Sequence, residues 1–261
     1  MTRSDQPLRL FGLDGCRGGW VVAESRGPAE APAFRVERTL AGLLAALQGE
    51  RALIAIDIPI GLPSGPPADD GRRRCDGEAR ALLGQRAVSV FSAPCRQTLA
   101  AKSYADACRL EVDARQRGTG ISRQAYGILP KIREVDGVVT PAHQQPIEPG
   151  AGLWVREAHP EVCFAVLNGV RLGGSAGPAQ SLAHAKRVCR ACRALGAPCT
   201  GEADRLALLR DWFGPFDPAA VRRQLAENSA DTLRISDVAA TTSSTRSSAS
   251  PRPTGSPTAG P

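Results

Sequence analysis

The sequence predicts an α/β domain whose first elements run β-β-β-α-β, a mixed sheet flanked by helices. Three observations predict it. Two apolar runs, residues 8–14 and 19–24, are joined by the glycine-rich turn Gly15-Cys16-Arg17-Gly18-Gly19, a hairpin signal. Behind Thr39, a residue suited to an N-cap, Leu40, Leu43, Leu44 and Leu47 recur at helical spacing. Residues 53–58 then form a short apolar run of the kind a buried strand presents.

The hairpin supplies the first two strands, and the alternation from Phe34 to Arg38 supplies a third. The first helix extends to Gln48, and the fourth strand follows. Over residues 62–150 the pattern changes to arginine-rich helices and loops, with helices expected at 76–84 and 99–117 and turns at 63–71 and 92–96; this stretch reads as an insertion or lid. A fifth strand is expected at 153–158 and helices at 161–167, 181–195 and 202–213, so one domain spans 8–238. Residues 241–261 hold only Ser, Thr, Pro, Gly, Ala and Arg, with no large apolar side chain to offset ordering entropy. A disordered tail is expected from residue 239 onward.

The formal net charge of +7 comes almost wholly from arginine, since Lys102, Lys131 and Lys186 are the only lysines. Arginine suits planar, bidentate contacts to phosphate or carboxylate. The first nine residues show no secretory pattern, and no apolar run approaches the roughly 18 residues of a membrane span. A cytoplasmic protein is expected, with its eight cysteines reduced rather than forming a disulfide framework.

Two aspartates close strand-like runs: Asp14 ends the first strand and Asp57 the fourth. An aspartate on a buried strand costs free energy unless it is paired, hydrogen-bonded or bound to a cation. Each suits a turn start as well. Glu157, in Arg156-Glu157-Ala158-His159-Pro160-Glu161, stands near a third strand end. Asp14, Asp57 and Glu157 are therefore the candidate ligands of Mg²⁺ or Mn²⁺, whose hard-oxygen chemistry suits phosphodiester hydrolysis. His159, or Glu161, is placed to move protons nearby, though both residue types also suit a helix start.

Arginines cluster as Arg72-Arg73-Arg74, then Arg80, Arg86 and Arg96, shortly after the Asp57 strand, where they either meet phosphates or form a solvated face. Lys186, Arg190 and Arg193 make a basic helical stripe that suits either a nucleic-acid backbone or plain solvent exposure. Aromatic residues are only 4% of the chain, which weakens a base-stacking reading. Cys189-x-x-Cys192 with Cys199 and His184 lacks the second pair of a zinc site. The Gly15-x-x-Gly18-Gly19 turn joins two strands rather than opening a helix, which disfavours a dinucleotide fingerprint.

In order along the chain, Gly12-Leu13-Asp14-Gly15-Cys16-Arg17-Gly18-Gly19-Trp20, Ile56-Asp57-Ile58-Pro59-Ile60-Gly61-Leu62 and Arg86-Ala87-Val88-Ser89-Val90-Phe91 form a specific set. Gly120-x-Ser122-x-Gln124, Pro130-Lys131-Ile132-Arg133-Glu134-Val135-Asp136 and Glu157-x-His159-Pro160-Glu161 continue it. This set resembles the domain-of-unknown-function 429 family, a group predicted to be ribonuclease H-like nucleases. The resemblance implies a ribonuclease H-like core with acidic metal ligands at strand ends, positions that Asp14 and Asp57 match.

Members of that family typically carry a further acidic motif on a last helix: two aspartates, an apolar pair, another aspartate and alanine. This chain instead has Asp231 and Asp237, then Ala240-Thr241-Thr242-Ser243-Ser244-Thr245-Arg246-Ser247. Back-translated as GCG ACG ACG TCC TCG ACG CGC TCC and read from the third base, that segment spells Asp-Asp-Val-Leu-Asp-Ala-Leu. The expectation is a frameshifted C-terminus that has lost the motif, with activity impaired; codons at 240–247 that fail to spell it would contradict this.

Three functional expectations follow. The first is a metal-dependent nuclease in which Asp14, Asp57, Glu157 and His159 carry the chemistry and Arg17, Arg72, Arg86 and Lys131 position phosphate. The second is a non-catalytic nucleic-acid or nucleotide-binding protein using the same cleft. The third is an actin-like-fold phosphotransferase, which shares the strand order but for which no second phosphate loop is visible.

Overall fold

A computed structural model describes residues 7–27, 30–64, 73–116, 118, 120–171, 201–213 and 217–228. The expected helix at 181–195, the cysteine pair Cys189/Cys192 with Cys199 and His184, the Lys186 stripe, Arg72, Asp231, Asp237 and the tail lie outside the described residues.

Strands β1 (Arg9–Cys16) and β2 (Gly19–Ser25) form the expected hairpin, with Cys16 opposite Gly19 so that Arg17 and Gly18 alone make the turn. Glycine is required at position 19, because φ is +146° and a Cβ there would lie 2.0 Å from the carbonyl oxygen of Glu37. Strand β3 (Ala33–Glu37) pairs antiparallel with β2. Helix α1 (Leu40–Ala46) follows, its Gly42 amide donating to Thr39 Oγ1 at 3.1 Å as the sequence predicts of an N-cap. Strands β4 (Arg51–Ile56) and β5 (Gly152–Glu157) run parallel to β1, in the sheet order β3-β2-β1-β4-β5.

Strand register explains where the core lies. Phe11, Leu13, Trp20, Val22, Ile54, Ile56 and Val155 are brought to one face by the pairings Leu13 with Val22, Leu13 with Ile56, and Ile54 with Val155. All seven are buried in a single hydrophobic cluster with the leucines of α1.

The segment 62–150 contains α2 (Arg74–Leu83), α3 (Tyr104–Arg115), α4 (Arg123–Gly127) and α5 (Leu129–Val138). Helix α3 begins five residues later than the sequence pattern suggests. The reason is local: a 3-10 turn occupies Arg96–Ala100, and the Ser103 hydroxyl accepts from the Asp106 amide at 3.1 Å to start the helix there. Leu129, Ile132 and Val135 of α5 are buried in the main cluster, so this part of the segment is built into the core beside α1.

Helices α6 (Pro160–Arg171), α7 (Gly201–Phe213) and α8 (Pro218–Glu227) complete the described chain. Helix α8 starts where the Asp217 carboxylate accepts from the Ala219 and Ala220 amides. It covers the sheet edge: Phe34 N–H donates to Gln224 at 3.1 Å, and Asn228 Nδ2 donates to the Phe34 carbonyl at 2.7 Å. Among the described residues, no helix is long and apolar enough to cross a membrane.

Candidate active site

The parallel pairing of β1 with β4 ends at Leu13 opposite Ile56, and the Asp57 amide carries the ladder one step further by donating to the Leu13 carbonyl at 3.1 Å. Asp14 and Asp57 are thus the next residues side by side. Glu157 stands in register with Ile56, one step behind Asp57. Because the pleat turns successive side chains to opposite faces, Asp14 and Asp57 share a face that Glu157, in step with Leu13 and Ile56, does not.

Asp14 is exposed and Asp57 half-buried. Burial first, then the negative charge of Asp14, then that of Glu157, push the Asp57 carboxyl up to about 7. A positive charge beside Asp57 would favour its ionised form.

Glu157 is committed elsewhere. Its Oε2 accepts from the Ile60 amide at 2.8 Å and from Arg73 Nη1 at 2.6 Å, and its Oε1 accepts from Arg73 Nη2 at 2.7 Å. Arg73 also donates to both Asp76 oxygens and, from Nη1, to the Ile60 carbonyl at 2.8 Å. Burial works against the charge of Arg73, but its hydrogen bonds to Glu157 and Asp76 outweigh it and hold the proton beyond the usual range.

These groups border a cavity of about 230 Å³ lined on its polar side by Asp57, Arg73, Glu157 and His159 and on its apolar side by Phe91 and Val162. His159 donates from Nε2 to the Ser89 carbonyl at 3.2 Å, which leaves Nδ1 buried with no hydrogen-bond partner among the described residues. Cys75 also borders the cavity, and its thiol is pushed up by burial. Cys163 in α6 is pushed up by burial and by the charge of Asp57. Both therefore favour the protonated thiol over a nucleophilic thiolate.

The phosphate-binding candidates separate. Arg17 is exposed at the hairpin tip. Lys131 stacks over Trp20 with Nζ 4.3 Å from the ring centroid, and its chain crosses Gly15, where a Cβ would lie 3.2 Å from Lys131 Cγ. Arg86 lies 3.8 Å from Glu161, which also accepts from Arg205 at 2.5 Å. That ion pairing gives Glu161 a place in packing between α6 and α7.

Two residues escaped the sequence reading of the site. Arg73 enters it, whereas Arg74 is exposed and paired with Glu78. Within a run of three arginines the sequence offers only one hint, Asp76 three residues on, at the spacing that lets a helix-start arginine fold back. Glu134 is the other: its Oε1 accepts from Trp20 Nε1 at 3.0 Å and from the Leu40 amide at 2.6 Å, tying α5 to β2 and to the start of α1.

Among the described residues, no group of three or more His, Cys, Asp or Glu is placed to hold a metal ion. The pair Asp14 and Asp57 still fits a small hard cation, since Mg²⁺ is commonly held by one or two carboxylates with water and phosphate oxygens completing its shell.

Fold and site together describe an α/β protein with two aspartates side by side where the parallel pairing of β1 and β4 ends. The chain belongs to the family described as protein of unknown function (DUF429), whose model matches residues 12–240. No curated protein and no solved structure matches the chain.

Proposed function

We propose that this chain is a cytoplasmic, ribonuclease H-like metal-dependent nuclease. The observation that carries the reading is the register that sets Asp14 beside Asp57 just past the last parallel pair of β1 and β4. The sheet order β3-β2-β1-β4-β5, antiparallel at β2 and β3 and parallel at β4 and β5, supports the ribonuclease H-like assignment. In this reading Asp14 and Asp57 hold Mg²⁺ or Mn²⁺, which when bound supplies Lewis-acid stabilisation and an activated water. Arg17 and Lys131 offer positive charge to the nucleic-acid backbone, joined in this reading by Arg72, which lies outside the described residues, while Arg86 is paired with Glu161. His159, with its Nε2 proton fixed on Ser89, is the group for proton transfer at Nδ1.

Activity is expected to be weak, because the family's last acidic motif is missing from this frame. The family match ends at residue 240, and the back-translation of 240–247 places that motif in a shifted frame from there. Cleavage of single- and double-stranded DNA and RNA in Mg²⁺ or Mn²⁺ tests the reading. Asp14→Asn should lower any cleavage by more than about 100-fold. Equal cleavage by Asp14→Asn and the parent chain would exclude it. Restoring the alternative frame should raise hydrolysis and Tm together.

A second reading, a non-catalytic nucleic-acid binder, is favoured by one observation: only two of the three expected acids share a face. A binder would cleave nothing and would keep or tighten its affinity in Asp14→Asn, where repulsion of phosphate is relieved.

A further inference from the structure

The side chain of Arg73 is only 9% exposed, and it is shared between two acids, Asp76 and Glu157. Both guanidinium nitrogens that face Glu157 are used, one on each carboxylate oxygen, in the bidentate geometry that makes arginine–carboxylate pairs strong. The Ile60 amide takes a further share of Oε2, so the Glu157 carboxylate accepts three hydrogen bonds. Moving Glu157 to a metal at Asp57 would strip Arg73 of one of its two counter-charges and leave the Ile60 N–H without this acceptor. Glu157 itself is exposed, but the Arg73 side chain is buried, and loss of a counter-charge from a buried guanidinium is unfavourable.

We infer that Arg73 withholds Glu157 from the acidic centre, so that a divalent ion is held by Asp14 and Asp57 alone and a substrate phosphate completes its shell. The inference rests on the metal-dependent reading above and assigns Glu157 a positioning role. Through the Ile60 amide, and through Arg73 on the Ile60 carbonyl, Glu157 fixes the backbone just beyond Asp57. Pleat and register point the same way, because Glu157 is out of step with the aspartate pair. A two-carboxylate site binds its ion weakly until a phosphate oxygen joins it.

Free Mn²⁺ measured by electron paramagnetic resonance, on the full chain and its variants, tests this. The parent chain should bind Mn²⁺ weakly and more tightly when a phosphorothioate DNA oligonucleotide is added. Asp14→Asn should abolish binding, whereas Glu157→Gln should stay within about twofold of the parent. Arg73→Met should free Glu157 to join the site and tighten Mn²⁺ about tenfold, and adding Glu157→Gln to it should remove that gain. A merely structural arginine would produce no such gain. Circular dichroism checks folding, and if Arg73→Met fails to fold, Glu157→Gln alone decides.

Loss of Mn²⁺ in folded Glu157→Gln, as complete as in Asp14→Asn, would overturn the inference and leave the metal reading standing. So would unchanged affinity in folded Arg73→Met. Parent binding that Asp14→Asn does not alter would overturn the metal reading, and the inference with it.

Discussion

Asp57 is held where its own ionisation is unwelcome, and that has a measurable consequence. Its folded pKa of about 7 stands above the 3.8 of an unperturbed aspartate. Between those values the folded chain binds the extra proton, so the contribution to stability is fully present below about pH 4 and is lost as pH rises through about 7. Asp57→Asn should flatten that slope and raise Tm by at least about 2–4 °C at about pH 8, the shift that 1 kcal/mol produces in a chain of this size. A thermal melt series across pH checks it. At the hairpin, Gly19→Ala forces a side chain into the Glu37 carbonyl at a φ of +146°. Its expected cost is about 2–4 kcal/mol by chemical denaturation, in line with strained backbone sites.

At the scale of elements, the sheet sets the aspartates and the helices of the 73–138 stretch hold them. Helix α5 bears on both tasks, burying Leu129, Ile132 and Val135 on its inner side while Lys131 reaches over Gly15 and Glu134 holds Trp20 and the start of α1. Ile132 is fully buried, so Ile132→Ala should cost about 2–5 kcal/mol through lost burial and the cavity left behind. Denaturant unfolding measures that loss, and a change below about 1 kcal/mol would mean that α5 is not part of the core.

For the whole molecule, what was legible in the sequence was local. The hairpin, α1 and the strand-end aspartates declare themselves through glycine turns, leucine spacing and an N-cap, all within a few residues. Helix α5 was harder to read because Pro130 stands in its first turn, Gly137 lies near its end, and its buried residues are interspersed with Lys131, Arg133 and Glu134. Helix α8 has one buried side chain, Leu225, and so little apolar pattern to detect. The arrangement of the site was the least visible part. Glu157 meets Arg73 across 84 positions of sequence, and nothing near either residue announces the pairing. The three acids looked equivalent because each lies near a strand end; register, which arises only when the strands pair, separates Glu157 from the other two.

The central claim is that Asp14 and Asp57 together form a cation site. Crystals of the full chain grown with Mn²⁺ and measured at the manganese absorption edge test it most directly. An anomalous peak between the two carboxylates, lost in Asp57→Asn, is the predicted result. Anomalous density placed elsewhere, or no density at that position at saturating Mn²⁺, would contradict the account.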